Sequence, residues 1–161
     1  MLRQTEMYVF DKNVFISLGH YYPGRFPTIW GRVNDLADDG TLCSVREVRR
    51  EIEANCPFSY IAQWVQDHRR IFMVPTETEL TIVRDIFRSE QYRGLVRRQN
   101  IIRGLPVADP FIVAAGKFYE AAVVTQESLL SGGARIPTLC QELQVRCMNL
   151  EGFLEEEDLM Y

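Results

Sequence analysis

Four consecutive apolar or aromatic residues, Met7-Tyr8-Val9-Phe10, run straight into Asp11-Lys12-Asn13, after which Val14, Phe15 and Ile16 resume the apolar pattern. The first group reads as a short buried strand and the second as the start of a helix. A carboxylate, Asp11, therefore stands just past the C-terminal edge of a core strand. In open parallel α/β sheets ligands bind at that edge, so this one junction constrains both the fold and the place where chemistry is sought.

The rest of the chain repeats the alternation. Gly19 to Pro27 is an aromatic loop rich in glycine and proline, and Ile29, Trp30, Val33, Leu36 and Ala37 then recur at helical spacing until Asp38-Asp39-Gly40. Thr41 to Ser44 reads as a second strand, with Ser44 as N-cap of a helix over Val45 to Ala54. A helix through Tyr60-Ile61 and Trp64-Val65 and a strand over Ile71 to Val74 follow. Thr76 with Glu79 forms a capping box that opens a helix reaching about Glu90. Asp109-Pro110 is a helix start signal in its own right, Asp109 as N-cap and Pro110 at the first helical position. Ala121 to Thr125 is a strand, Ser131-Gly132-Gly133 a loop, Pro137 to Leu143 a helix, Val145 to Met148 a last strand, and the acidic tail after Glu151 a short frayed helix. Strands alternating with helices predict an α/β fold with a parallel sheet covered on both faces.

A length of 161 residues, 47% of them hydrophobic, fits one soluble globular domain over 1–161. No apolar run approaches the roughly 20 residues that span a bilayer, and no apolar segment follows the first residues, so a cytoplasmic protein without membrane contact is expected. The four cysteines show no C-x-x-C spacing and read as reduced thiols. A net charge of −4 argues against wrapping duplex DNA. Only Lys12 and Lys117 among 18 basic residues are lysines, and arginine's planar fork suits phosphate or carboxylate. Arg93, Arg97, Arg98 and Arg103, interleaved with Leu95, Val96, Ile101 and Ile102, suit RNA or a partner helix, or equally a solvated amphipathic helix. His20 and His68 lack partners for base catalysis and read as structural or surface residues.

Four acids are candidates for one site. Asp11 and Glu127 follow strands, while Asp109 and Glu51 lie near the starts of helices, and right-handed crossovers bring all four to one end of a parallel sheet. Glu47 and Glu51, four apart, share a flank of the Val45, Val48, Ile52 stripe; Glu51 lies nearer the buried face, and Glu47 stays open as its substitute. Carboxylates crowded together repel one another, and a hard divalent cation such as Mg²⁺ or Mn²⁺ removes the repulsion. Such a site suits phosphodiester hydrolysis.

The order Tyr8-Val9-Phe10-Asp11-Lys12-Asn13-Val14-Phe15-Ile16, Glu51, Val107-Ala108-Asp109-Pro110 and Val123-Val124-Thr125-Gln126-Glu127 resembles PIN-domain ribonucleases over essentially the whole chain. The segment from Ile136 to Leu150 resembles the close of one bacterial and archaeal PIN subfamily associated with toxin components of toxin–antitoxin pairs. The resemblance implies a three-layer α-β-α PIN-like fold with a central, mostly parallel sheet of four to five strands. It implies a Mg²⁺- or Mn²⁺-dependent endoribonuclease acting on an RNA substrate, a cognate antitoxin protein and a homodimer. Asp11 and Asp109 would be direct metal ligands, Glu51 a ligand directly or through water, and Glu127 the fourth acid, with Asn13 and Thr125 orienting carboxylates or water. Lys12 departs from the small residue usual in the family and is placed to pair with a carboxylate or phosphate. Glu127 is longer than the aspartate of many PIN domains, so a water-mediated contact is expected of it. Two other readings compete: a catalytically silent PIN-like module that binds nucleic acid or a protein, and a phosphoaspartyl enzyme with Asp11 as nucleophile. The second wants an acid where Asn13 stands.

Overall fold

Five short strands form one parallel sheet in the computed structural model, which describes residues 6–56, 59–90, 92–93, 108–128 and 135–159. They are β1 (Tyr8–Phe10), β2 (Leu42–Val45), β3 (Phe72–Met73), β4 (Ala122–Val124) and β5 (Cys147–Met148), in the spatial order β3-β2-β1-β4-β5. Every pairing is parallel, and Tyr8 stands level with Leu42 on one side and Ala122 on the other. From β1 the chain steps outward to β2 and β3, then returns to the far side of β1 for β4 and β5. The order therefore reverses between β1 and β4, and a crevice opens outside the carboxyl ends of strands where it does so.

The residues of β1, β2 and β4 are buried throughout, with no in-out alternation. Continuous apolar runs of this kind belong to strands covered on both faces. Eight α-helices among the described residues complete the α-β-α layers: α1 (Lys12–Leu18), α2 (Pro27–Asp38), α3 (Arg46–Asn55), α4 (Tyr60–Asp67), α5 (Glu77–Arg88), α6 (Ala108–Phe118), α7 (Arg135–Leu143) and α8 (Leu150–Glu156). None of these is long and apolar enough to cross a membrane. The expected capping box is present at α5, where the Thr76 hydroxyl accepts from the Glu79 N–H and the Glu79 carboxylate accepts from the Thr76 N–H.

Helix α6 packs on β1, β2 and β4 and along α5 and α7, and its residues Ile112 to Gly116 are all buried. Gly116 sets how closely it approaches the sheet, since a Cβ there would lie 2.7 Å from Val123 Cγ2 and 2.9 Å from Val145 Cγ1. Alanine in a helix interior is favoured over glycine by about 1 kcal/mol, whereas overpacking costs about 1–3 kcal/mol. Gly116→Ala should thus lower the midpoint of denaturant unfolding; an unchanged or higher midpoint would show that the helix can move off the sheet at no cost.

Three local expectations are corrected. Ser44 does not cap α3: pairing with β3 runs on through Ser44 and Val45, α3 starts at Arg46 with no side-chain cap, and the Ser44 hydroxyl donates instead to the Phe10 carbonyl at 2.6 Å. Asp109 lies inside the first turn of α6, which opens at Ala108, and not at its N-cap. The acidic tail is docked: Asn149 caps α8, and Phe153 is fully buried edge-on against Tyr8 and Phe10, with ring centroids 4.9 and 5.0 Å away. Glu157 just beyond accepts from the Tyr8 hydroxyl at 2.6 Å and pairs with Arg32 at 2.8 Å. The interleaved Arg97, Arg98 and Arg103 and the Ser131-Gly132-Gly133 loop lie outside the described residues.

Candidate active site

Asp11 is held from both strands of the switch point. Its backbone N–H donates to Val124 O at 3.0 Å, which continues the β1–β4 ladder, and its own carbonyl accepts from Val14 N at 3.1 Å, which starts α1. The side chain, 4% exposed, accepts from the Lys12 N–H at 2.6 Å on Oδ1 and from the Thr125 hydroxyl at 2.9 Å on Oδ2. Thr125 is fixed in turn, because its N–H donates to Met148 O on β5 and its hydroxyl oxygen accepts from the Glu127 N–H at 3.1 Å. That amide leaves the hydroxyl proton directed at Asp11. Asn13, the other residue expected to orient a carboxylate or water, is exposed and makes neither of the hydrogen bonds to the Asp11 carboxylate.

Asp109 arrives from α6 and is 8% exposed. Arg135, the first residue of α7 and 9% exposed, brings Nε to 2.5 Å from Asp109 Oδ2. The two atoms touch as an ion pair without hydrogen-bond alignment, and neither has a hydrogen-bond partner. Sequence reasoning missed Arg135, which stands between a glycine pair and Pro137 where nothing in the local pattern marks it as buried.

The two glutamates are engaged at the rim. Glu127 Oε2 accepts from the N–H groups of Arg135 and Ile136, both at 3.0 Å, and so caps α7 from outside the helix. Glu51 pairs with Lys12 Nζ at 3.3 Å, the carboxylate partner expected for that lysine. Glu47 points its charge at Arg46, 3.3 Å away, and its buried Oε2 has no hydrogen bond.

The structure places Asp109 within electrostatic reach of Asp11, Glu51 and Glu127, and Asp11 within reach of Glu127 and Glu51. Burial pushes the Asp11 carboxyl up to about 6; the Thr125 hydrogen bond works against the rise, and the charges of Glu127 and Glu51 add to it. Burial likewise pushes Asp109 up to about 7, opposed by Arg135 and reinforced by Glu127, Asp11 and Glu51. Glu51 is among the charges that act on both aspartates. The site as a whole is short of positive charge.

Among the described residues no three acidic, histidine or cysteine side chains stand close enough to enclose a metal ion unaided. Mg²⁺ seldom uses such a cage; one or two carboxylates, waters and the substrate's phosphate complete its shell. Two buried aspartates with only oxygen donors fit that chemistry, and Asp109 Oδ2 accepts no hydrogen bond and is met by the charge of Arg135 alone.

Beside Glu127 a cavity of about 650 Å³ is lined by Cys140, Cys147, Met148 and Asn149. The four cysteines are free thiols, as expected from their spacing.

A search of the curated proteins gives no match. A family model described as "Domain of unknown function (DUF4411)" matches residues 8–161, from the first residue of β1 onward. The chain, with its parallel five-stranded sheet, belongs to the DUF4411 family.

Proposed function

We propose that this protein is a metal-dependent endoribonuclease that hydrolyses RNA phosphodiester bonds with Mg²⁺ or Mn²⁺. The observation that carries the reading is that Asp11 and Asp109, both buried, feel the charges of Glu51 and Glu127, with Asp11 directly after β1 at the carboxyl edge of the sheet, where the strand order reverses. The resemblance to PIN-domain ribonucleases supports it, and carries by itself the finer expectation of a toxin with a cognate antitoxin and a homodimeric state.

In this reading Asp11 and Asp109 would hold the ion directly, Glu51 directly or through water, and Glu127 through water. When bound, the ion supplies a Lewis acid for the phosphoryl oxygens and acidifies a water. The chain's own residues do the rest. Thr125 and the Lys12 N–H fix the Asp11 carboxylate in one orientation before substrate arrives, so no reorganisation is required at the moment of reaction. Burial of Asp109 keeps its charge from being screened by water. Glu51, partly open to solvent, is placed to take a proton from an attacking water, and Lys12 Nζ beside it is placed to meet a phosphate oxygen.

One observation favours a second reading, a catalytically silent module that binds nucleic acid or a protein partner. Each acid already has a partner within the chain: the Thr125 hydroxyl, Arg135, Lys12 or the α7 amides. Cleavage of labelled single-stranded RNA in Mg²⁺, Mn²⁺ or EDTA separates the two. The nuclease reading expects cleavage in either ion and none in EDTA; intact RNA in every condition, together with retained RNA binding, would favour the silent module.

A further inference from the structure

The buried guanidinium of Arg135 is not explained by the roles assigned so far. Its backbone is anchored, since its N–H donates to Glu127 at the start of α7, yet Nε meets Asp109 Oδ2 at 2.5 Å without making a hydrogen bond. An arginine built to lock a buried aspartate in place would present two parallel N–H donors to it. Here a positive charge rests against the acceptor that a divalent ion would take, and it is badly aligned to keep it.

We propose that Arg135 is an internal counter-cation for Asp109, which a divalent ion displaces when it binds, so that Arg135 sets the metal affinity of the site. The inference rests on the metal-nuclease reading above. A divalent ion on Oδ2 and a guanidinium Nε 2.5 Å from the same oxygen repel each other strongly in a buried site, so the ion weakens the hold of Arg135. Without an ion, Arg135 keeps a buried aspartate from standing uncompensated. With the ion in place the guanidinium leaves Oδ2, and its planar fork is then available for a phosphate entering the crevice.

The test is Mn²⁺ affinity at pH 8, read by electron paramagnetic resonance of the free ion, for the full-length wild type and Arg135→Gln. Removal of the competing charge should tighten Mn²⁺ binding by about tenfold or more, the scale on which residues around a metal ligand tune affinity. Equal or weaker binding in the variant, with Mn²⁺ bound by the wild type, would overturn the proposal and leave the metal site standing. No binding by either protein would overturn the metal reading itself. Should Arg135→Gln not fold, the wild type still decides: the Arg135 Nε–H resonance should shift on saturation with Mg²⁺, and an unmoved resonance in the Mg²⁺-bound protein would overturn the proposal.

Discussion

Asp11→Asn is expected to lower metal-dependent RNA cleavage by about 10²-fold or more and, in the same protein, to raise the melting temperature of the metal-free form at pH 8. The loss follows from position: changes to groups that merely orient a ligand cost about 10–100-fold, and Asp11 is proposed as the ligand itself. The gain follows from charge. The native carboxylate is 4% exposed and lies within reach of Glu127 and Glu51, so an uncharged side chain of the same shape removes both a desolvation cost and a repulsion. The amide oxygen still accepts from the Lys12 N–H, and the Thr125 hydroxyl can turn to accept from the new amino group. Opposite signs on activity and stability distinguish a functional acid from a structural one, for which both would fall. Full cleavage by the variant, or a marked loss of stability without metal, would count against the assignment.

A second large effect is the pH dependence of stability. The folded-state values of Asp11 and Asp109, about 6 and about 7, both lie above the ordinary 3.8. Below pH 3.8 the folded and unfolded chains are both protonated at these sites. Between 3.8 and about 7 the folded chain binds more protons, so stability falls as pH rises, and above about 7 the loss is complete. At about 1.4 kcal/mol per unit, the two groups together remove on the order of several kcal/mol across this window. Mn²⁺ should restore much of it at pH 8, where the carboxylates are ionised, and little at pH 5. Denaturant midpoints at pH 5 and 8, in EDTA and in Mn²⁺, measure this directly, with the Asp11→Asn, Asp109→Asn double variant subtracting every other titrating group. A wild type whose pH slope matches that of the double variant would show that these aspartates are not strained in the folded state.

The features legible in the sequence were those written locally. The strand-acid-helix junction at Asp11 and the Thr76 and Glu79 capping box both follow from residue type and spacing. The tail misled because its charge outweighed Phe153 in the reading, whereas in the fold that one ring fills a gap between Tyr8 and Phe10 and the acids find Arg32 and Tyr8. Ser44 looked like a cap because serine before a helix usually is one; a strand pairing set by Phe72 and Met73 moved it one step into the sheet. Arg135 and the capping of α7 by Glu127 are partnerships made across the fold, and no local pattern announces which charge will be drawn inside to meet a buried aspartate. The order of the strands, which makes the crevice, is likewise a property of the assembled sheet.

The central claim is that Asp11 and Asp109 together bind a divalent cation. Crystals of the wild type soaked in Mn²⁺ at pH 8, with anomalous scattering recorded at the manganese edge, test it most directly. The account predicts an anomalous peak at about 2.0–2.2 Å from an oxygen of each aspartate, on the scale of Mg²⁺–oxygen distances, with Arg135 Nε withdrawn from Asp109 Oδ2. Arg135 still seated on Asp109 at saturating Mn²⁺, with no peak between the two aspartates, would contradict it.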